Sequence, residues 1–141
     1  MIAPRRRLLA ALAAFVASPA AAAEARRDPD TVYHLADIEK ANFVLGNLRN
    51  HLAGAEGKPK LAVVIHGAAL QLFHRGSAPH GLEGEYQELV RAGVVFYACA
   101  NTLAAHGWKL GDMLDGFALA ERGGVVELAE LQGRGYAYLR P

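Results

Sequence analysis

The chain has 141 residues and a single cysteine, Cys99. One thiol cannot close a disulfide within its own chain, so packing must hold the fold together. Aromatic residues make up only 8% of the sequence, and they do not alternate with basic residues in any cluster. Beyond the first few residues, lysine and arginine form no stripe either. Nucleic acid is therefore not expected as a partner.

The first 23 residues lack an apolar run long enough to span a bilayer, which takes about 20 residues. They begin with three adjacent arginines, Arg5 to Arg7, followed by a shorter apolar stretch over residues 8–16 and a small-residue run that ends at Ala23. This order is typical of a secretory signal. We predict a signal peptide over residues 1–23, cleaved near Ala23, and a periplasmic protein with no membrane contact after cleavage. The arginines also fit a loose form of the twin-arginine signal.

The predicted cleavage changes the charge balance of the chain. The whole sequence has 15 lysines and arginines against 14 aspartates and glutamates. Loss of the three N-terminal arginines leaves 12 basic against 14 acidic residues, so the mature protein is slightly acidic. The roughly 118 residues that remain are enough for one compact domain with one core. We assign residues 24–30 to a flexible lead-in and residues 31–141 to that domain.

Strand and helix signals alternate along the predicted domain. Apolar residues recur every three or four positions in the segments that separate the strands, which predicts helices there. Strands joined by single helices indicate parallel βαβ units with right-handed crossovers. We therefore predict an α/β fold: a small three-layer domain with a mainly parallel sheet of about five strands flanked by helices. The short apolar runs that predict these strands lie at residues 31–35, 60–66, 94–98, 117–120 and 136–141.

Cys99 falls where the third predicted strand gives way to a short helix. Binding sites in open α/β sheets form outside the carboxyl ends of the strands. His66 and Gly67 end the second strand, so His66 and Cys99 share one edge of the sheet if those strands are neighbours. The amides that open the helix favour a thiolate and lower the thiol pKa. The alternative is an inert packing residue, because free cysteine is among the most buried residue types.

Four residues near this edge are candidates for ligand binding: His66, Gly67, Asn101 and His106. His66 could hydrogen-bond a ligand or help keep Cys99 ionised, and a structural, partly buried histidine is the alternative. Asn101 is predicted to cap the short helix, with ligand binding as an additional role. His106 lies at the predicted end of that helix, seven residues after Cys99. No close-spaced set of ligands indicates a metal site, so neither a metal nor a cofactor is expected.

Three stretches, "VVIHGAALQLF", "GVVFYACANTL" and "GGVVELAELQGRGYAYLRP", resemble the DsrE/DsrF-like family, which includes TusD-related sulfur-relay proteins. The resemblance runs from about Val32 to Pro141, and its C-terminal pattern is similar to that of exported single-domain members. It implies a parallel α/β sheet and assembly into homo-oligomers, commonly trimers or hexamers. In the sulfur-relay members a cysteine after the third strand carries sulfur as a persulfide. Cys99 stands at the matching place.

Two functions from different classes follow, and the sequence leaves both open. In the first, an exported protein relays sulfur as a persulfide on Cys99, with a sulfur donor or acceptor protein as its partner. In the second, a non-catalytic homo-oligomeric module binds a small ligand, and Cys99 is a packing residue. Whether the chain is an enzyme stays open as well; if active, it is a sulfur-transfer protein. Thiol reactivity separates the two, because a carrier needs an accessible thiolate near neutral pH.

Overall fold

The computed structural model describes residues 27–141. The predicted signal peptide and the start of the lead-in lie outside the described residues. Every pair of neighbouring strands in the described sheet is parallel, and the strand order is β4-β3-β2-β1-β5. The predicted α/β fold with a parallel sheet is thereby confirmed. The five strands are β1 (Thr31–Leu35), β2 (Leu61–Ile65), β3 (Val95–Cys99), β4 (Phe117–Ala120) and β5 (Ala137–Leu139).

Helices connect the strands, as the alternating sequence pattern predicts. Four α-helices are present in the described chain: α1 (Ala41–Gly54), α2 (His80–Arg91), α3 (Ala100–His106) and α4 (Gly124–Gly133). Short 3-10 segments supply the remaining turns, at Ile38–Lys40, Gly67–Phe73 and Leu110–Asp112. The helix α3 ends at Gly107, which adopts the left-handed conformation (φ 70°) that glycine accepts without strain.

The sheet separates two apolar clusters of different size. The larger cluster lies between one face of the sheet and α1, α2 and α3, with Phe73, Tyr86 and Phe96 among its fully buried side chains. The smaller cluster lies on the other face, where Leu128 and Leu131 of α4 pack on the strands. Full burial of one such aliphatic side chain contributes about 1.5–3 kcal/mol. The three layers of the predicted domain are therefore present.

The central strand β2 shows why the sequence selects a parallel sheet. All five of its residues, "LAVVI", are buried, because helices cover both faces at this position. Strands buried on both faces are read as continuous apolar runs rather than as alternating patterns. Among the described residues, no helix combines the length and the apolar character needed to cross a membrane.

Candidate functional site at the carboxyl ends of the strands

His66 and Cys99 meet at the same edge of the sheet. Their strands β2 and β3 are parallel neighbours, and Ile65 pairs with Ala98, so the next step of the register sets His66 beside Cys99. Side chains alternate between the faces of a strand. Val64 faces α4, and His66, two residues later, therefore faces α4 as well. The shared edge expected from the sequence is what the register produces.

The first residue of α4 lies directly on this pair. A Cβ atom added to Gly124 would stand 3.3 Å from the Cβ of His66 and 3.4 Å from the Cβ of Cys99. It would also stand 3.2 Å from Cγ1 of Val64. These separations are at or below ordinary van der Waals contact. Only a residue without a side chain lets the helix begin this close to the sheet.

This close approach brings a backbone donor to the cysteine sulfur. The Gly124 N–H donates a hydrogen bond to Sγ of Cys99, with 3.1 Å between nitrogen and sulfur. Cys99 itself is buried, with 5% of its surface exposed. Burial raises the pKa of the thiol, but hydrogen bonds from the Thr102 hydroxyl and from the amides of Thr102, Gly124 and Asn101 outweigh it. The pKa of Cys99 therefore lies below its ordinary value.

Thr102 connects the sulfur to the strand that carries His66. The Gly67 N–H donates a hydrogen bond to Oγ1 of Thr102 at 3.0 Å. Because the threonine oxygen accepts this bond, its own proton is free to point at Cys99. Gly67 thus takes part in the site through its backbone, one step removed from the sulfur. The binding role predicted for Gly67 stays a prediction.

The ring of His66 turns away from the cysteine and toward β1. Its Nε2 lies 2.5 Å from Nε2 of His34, and Nδ1 of His34 lies 2.7 Å from the Tyr138 hydroxyl. The two imidazoles are stacked, with ring centroids 4.7 Å apart. Tyr138, His34, His66 and Cys99 therefore form a row along one face of four neighbouring strands. Among the described contacts, none is a hydrogen bond from His66 to the cysteine sulfur.

Both imidazoles in this row favour the uncharged form. Burial lowers the pKa of His34, and the neighbouring His66 and Arg140 lower it further, while Asp37 raises it. Burial also lowers the pKa of His66, again with Arg140 acting in the same direction and Asp37 against it. Arg140 and Asp37 pair with each other at 3.5 Å. At neutral pH the row thus holds two neutral rings beside the thiol.

The predicted capping role of Asn101 is wrong. The helix α3 begins at Ala100, and Cys99 occupies the N-cap position, two residues before Asn101, without a side-chain capping bond. The strand runs on to the cysteine because Cys99 still pairs with Ala120 of β4, which leaves Asn101 inside the first turn. Asn101 is exposed, and its side-chain nitrogen would stand 2.6 Å from a Cβ at Gly123 (φ 97°). It reaches the start of α4 rather than the cap of α3.

The structure does not bring His106 to the cysteine. His106 ends α3, is exposed, and stacks on Trp108 with ring centroids 4.3 Å apart. His74 lies against the same tryptophan at 4.5 Å. A helix rises about 1.5 Å per residue, which places His106 roughly 10 Å along α3 from Cys99. These three rings form a separate surface cluster.

Sequence reasoning missed four residues of the site: His34, Thr102, Gly124 and Tyr138. His34 lies on β1, which is next to β2, and Tyr138 lies on β5, on the other side of β1; only folding brings these strands together. The alternation of "TVYHL" could have assigned His34 to the face of Val32. Nothing in the sequence states the order of the strands. Gly124 follows a second glycine at the start of a predicted helix, a pattern that signals close backbone approach.

The described part of the chain contains no cluster of three or more side chains that could coordinate a metal ion. This holds for the histidine, cysteine, aspartate and glutamate side chains within residues 27–141. The acid–base and nucleophilic groups of the edge are therefore the thiol and the paired imidazoles. The arrangement can stabilise a thiolate at Cys99, and it can offer neutral nitrogen atoms at His34 and His66.

Comparisons with known proteins place this geometry in a family. A profile of the DsrE/DsrF-like family matches residues 11–141. A protein of unknown function from Methanobacterium thermoautotrophicum, MTH1491, is 31% identical with a TM-score of 0.72; the match covers 81% of this chain and 100% of that one. No curated protein matches the chain significantly.

Two more distant structures share the fold. The conserved protein BT1422 of unknown function from Bacteroides thetaiotaomicron is 18% identical (TM-score 0.60), and the match covers 79% of this chain and 95% of that one. The ychN protein from E. coli is 16% identical (TM-score 0.57), with coverage of 79% and 99%. The family profile spans most of the sequence, and the archaeal structure matches it at 31% identity. The chain therefore belongs to the DsrE/DsrF-like family.

Proposed function

We propose that this protein accepts sulfane sulfur on Cys99 and passes it on as a persulfide. Membership of the DsrE/DsrF-like family indicates a role related to sulfur relay. A sulfur carrier needs a nucleophilic thiolate at the pH of its compartment. The described edge of the sheet offers one thiol, and the Thr102 hydroxyl and nearby backbone amides donate hydrogen bonds to it.

The observation that carries the proposal is the hydrogen bond from Gly124 to the sulfur. A packing cysteine in an apolar core has no need of a backbone donor at 3.1 Å, because a thiol is only a weak acceptor. A thiolate, in contrast, gains from each N–H and O–H directed at it. The pKa of Cys99 is lowered although the side chain is buried, and the Thr102 hydroxyl contributes to that shift. The surroundings of the sulfur thus favour the charged, reactive form.

The transfer itself is a displacement at sulfur. The Cys99 thiolate attacks the terminal sulfur of a donor persulfide, R–S–SH. The donor S–S bond breaks as the Cys99–S–SH bond forms, and the donor leaves as a thiolate, which takes a proton from water. A thiolate of the acceptor then attacks the outer sulfur of Cys99–S–SH, which returns Cys99 as a thiolate. No external oxidant or reductant is consumed, because the sulfane sulfur keeps its oxidation state.

The setting that we propose for this chemistry is exported and oligomeric. The predicted signal peptide assigns the protein to the periplasm, where a donor or acceptor of sulfur would have to be exported too. Val125, next to Gly124, is 70% exposed, and Phe43 on α1 is 56% exposed. They lie on helices that pack on opposite faces of the sheet, so they form no single apolar patch. The homo-oligomer, a trimer or hexamer, is proposed from the family resemblance.

A second function is favoured by one observation, the burial of Cys99. With 5% of its surface exposed, the residue also fits a packing role in a non-catalytic module that binds a small ligand at the same edge. In that case the lowered pKa reflects the local backbone and serves no transfer. The two functions differ in what the sulfur does when a donor is supplied.

Sulfur loading followed by intact-mass measurement tests the proposal. The full chain is incubated with a small persulfide or polysulfide and then freed of excess reagent. The proposal predicts a mass gain of one or more sulfur atoms that a reductant reverses, and no gain for Cys99→Ser. A folded wild-type protein that takes up no sulfur would leave the ligand-binding module as the function. Light scattering on the same samples tests the oligomer, and a monomer would contradict that part.

A further inference from the structure

Two imidazole nitrogens point at each other on the face of the sheet that carries Cys99. Nε2 of His34 and Nε2 of His66 lie 2.5 Å apart, and both side chains are half-buried, so the pair is open to solvent on one side. The histidines belong to neighbouring parallel strands, and their contact depends on the pairing of β1 with β2. The proposed sulfur chemistry at Cys99 makes no use of this contact.

The second ring nitrogen of His34 is already engaged. Nδ1 of His34 lies 2.7 Å from the hydroxyl of Tyr138 on the edge strand β5. If this nitrogen carries the ring proton, Nε2 presents its lone pair toward His66. Histidines that bind metals have this arrangement: one nitrogen is held by a hydrogen bond to an outer group, which fixes the tautomer and aims the other nitrogen at the ion. A histidine binds a metal through the lone pair of a neutral ring nitrogen.

We propose that His34 and His66 form a two-histidine binding site for a borderline transition-metal ion such as Zn²⁺. Imidazole suits Zn²⁺, Cu²⁺ and Ni²⁺, whereas Mg²⁺ prefers oxygen ligands. Two protein ligands leave coordination positions open to water or to a small anion. The site departs from the expectation based on the sequence, because no local spacing brings His34 to His66.

The contact must open and both rings must turn to admit an ion. Zinc takes imidazole nitrogen at about 2.0–2.1 Å, so two nitrogens bound to one tetrahedral ion stand roughly 3.3 Å apart. The rings must therefore separate by less than about 1 Å and rotate, because a tetrahedral ion lies off the line that joins the two nitrogens. Among the described residues, the charged groups that act on both rings are Arg140 and Asp37. They pair with each other at 3.5 Å, which limits the net positive charge beside the ion.

The site does not depend on the proposed role of Cys99. The sulfur accepts its hydrogen bond from Gly124, and His34 and Tyr138 lie on the far side of His66 from the cysteine strand. We therefore assign no ligand role to Cys99. Metal binding and sulfur uptake can succeed or fail separately, so one set of variants distinguishes them.

Calorimetric titration of the full chain with ZnCl₂ tests the proposal. We expect one Zn²⁺ per chain, no comparable response to MgCl₂, and retained binding in Cys99→Ser. His34→Ala should abolish the stoichiometric binding. His106→Ala is the matched control, because it also removes one histidine, from the surface cluster around Trp108. Tyr138→Phe removes only the outer partner of His34 and should weaken binding about 10-fold or more.

Three results would overturn the assignment. Wild-type protein that binds no more Zn²⁺ than His34→Ala would show that the nitrogen contact is a hydrogen bond between neutral rings and nothing further. Loss of binding in Cys99→Ser would make the sulfur a ligand and contradict a site of two histidines. Loss in His106→Ala would move the metal to the surface cluster. Circular dichroism of each variant separates a lost ligand from a lost fold.

Discussion

The two ends of the short helix α3 have opposite surroundings. At the first end Cys99 is buried, and its sulfur accepts a hydrogen bond from the start of α4. At the other end His106 is exposed and lies flat against Trp108. Only seven positions separate the two residues in the sequence, yet no contact in the described chain joins their environments. Nearness along the chain did not create the site.

The pairing of neighbouring strands in the sheet brings the residues of the site together. His34 comes far earlier in the sequence than Cys99, but β1 and β3 both lie next to β2. The alternation of side chains then sets His34, His66 and Cys99 on the face that α4 covers. In this fold, the order of the strands and the alternation of side chains along them bring the residues of the site together. Variants at the two ends of α3, and at the two ends of α4, can therefore separate the site from the surface.

The largest effect is expected from Gly124→Ala. The new Cβ would stand 3.2 Å from Val64 and 3.4 Å or less from His66 and Cys99, so the start of α4 or these side chains must shift by a few tenths of an ångström. Such overpacking costs about 1–3 kcal/mol of unfolding free energy. The movement also lengthens the hydrogen bond to the sulfur and slows alkylation of Cys99 at neutral pH. Urea unfolding and iodoacetamide labelling measure the two effects.

Gly133→Ala is the matched control at the other end of α4. No heavy atom lies within 4 Å of a Cβ built there. Alanine in a helix is favoured over glycine, so this variant should gain up to about 1 kcal/mol. Its alkylation rate should stay at the wild-type value. If Gly124→Ala behaves like Gly133→Ala in both measurements, the close approach of α4 to the sulfur is unimportant.

A smaller effect is expected from Thr102→Val. Loss of the hydroxyl leaves the Gly67 N–H without its acceptor and removes a hydrogen bond that lowers the pKa of Cys99. We expect a loss of about 1 kcal/mol in unfolding free energy and a rise in the thiol pKa. Thr102→Ser keeps the hydroxyl and should restore the pKa. An unchanged Cys99 pKa in Thr102→Val would show that the Thr102 hydroxyl does not stabilise the thiolate.

The smallest effect is expected at the exposed end of α3. His106→Ala removes an exposed ring that stacks on Trp108. The cost in unfolding free energy should be about 0.5 kcal/mol or less, as for most surface substitutions. Cys99 alkylation should not change, whereas the fluorescence of the only tryptophan should. A large drop in the alkylation rate of Cys99 would show that His106 and Cys99 belong to one site.

Much of the fold could be predicted from the sequence. The buried strand β2 leaves a continuous apolar run, and the amphipathic helix α2 leaves a repeat of three to four residues; both patterns depend only on which faces are buried. Strand-to-helix alternation then implied parallel crossovers, and the sheet is parallel throughout its described strands. Local physics was sufficient because each element buries its own apolar face.

The site could be predicted only in part, because it depends on non-local register. Cys99 and His66 end neighbouring strands, so the rule that sites form at carboxyl ends found both. His34 and Tyr138 join the row through β1 and β5, whose order in the sheet is not written in any short segment. The failed cap at Asn101 has a similar cause. Pairing with β4 extends β3 through Cys99, so the N-cap of α3 is Cys99 rather than Asn101.

The pH dependence of Cys99 alkylation tests most directly whether the edge of the sheet stabilises a thiolate at Cys99. We expect the alkylation rate to follow a single titration whose midpoint lies below the ordinary cysteine pKa of about 8.5. By linkage, the unfolding free energy should rise with pH between the folded and unfolded pKa values, because the unfolded thiol binds the extra proton there. Cys99→Ser should abolish both the labelling and this rise. A midpoint at or above 8.5 would contradict a stabilised thiolate at the edge of the sheet and, with it, the proposed sulfur relay.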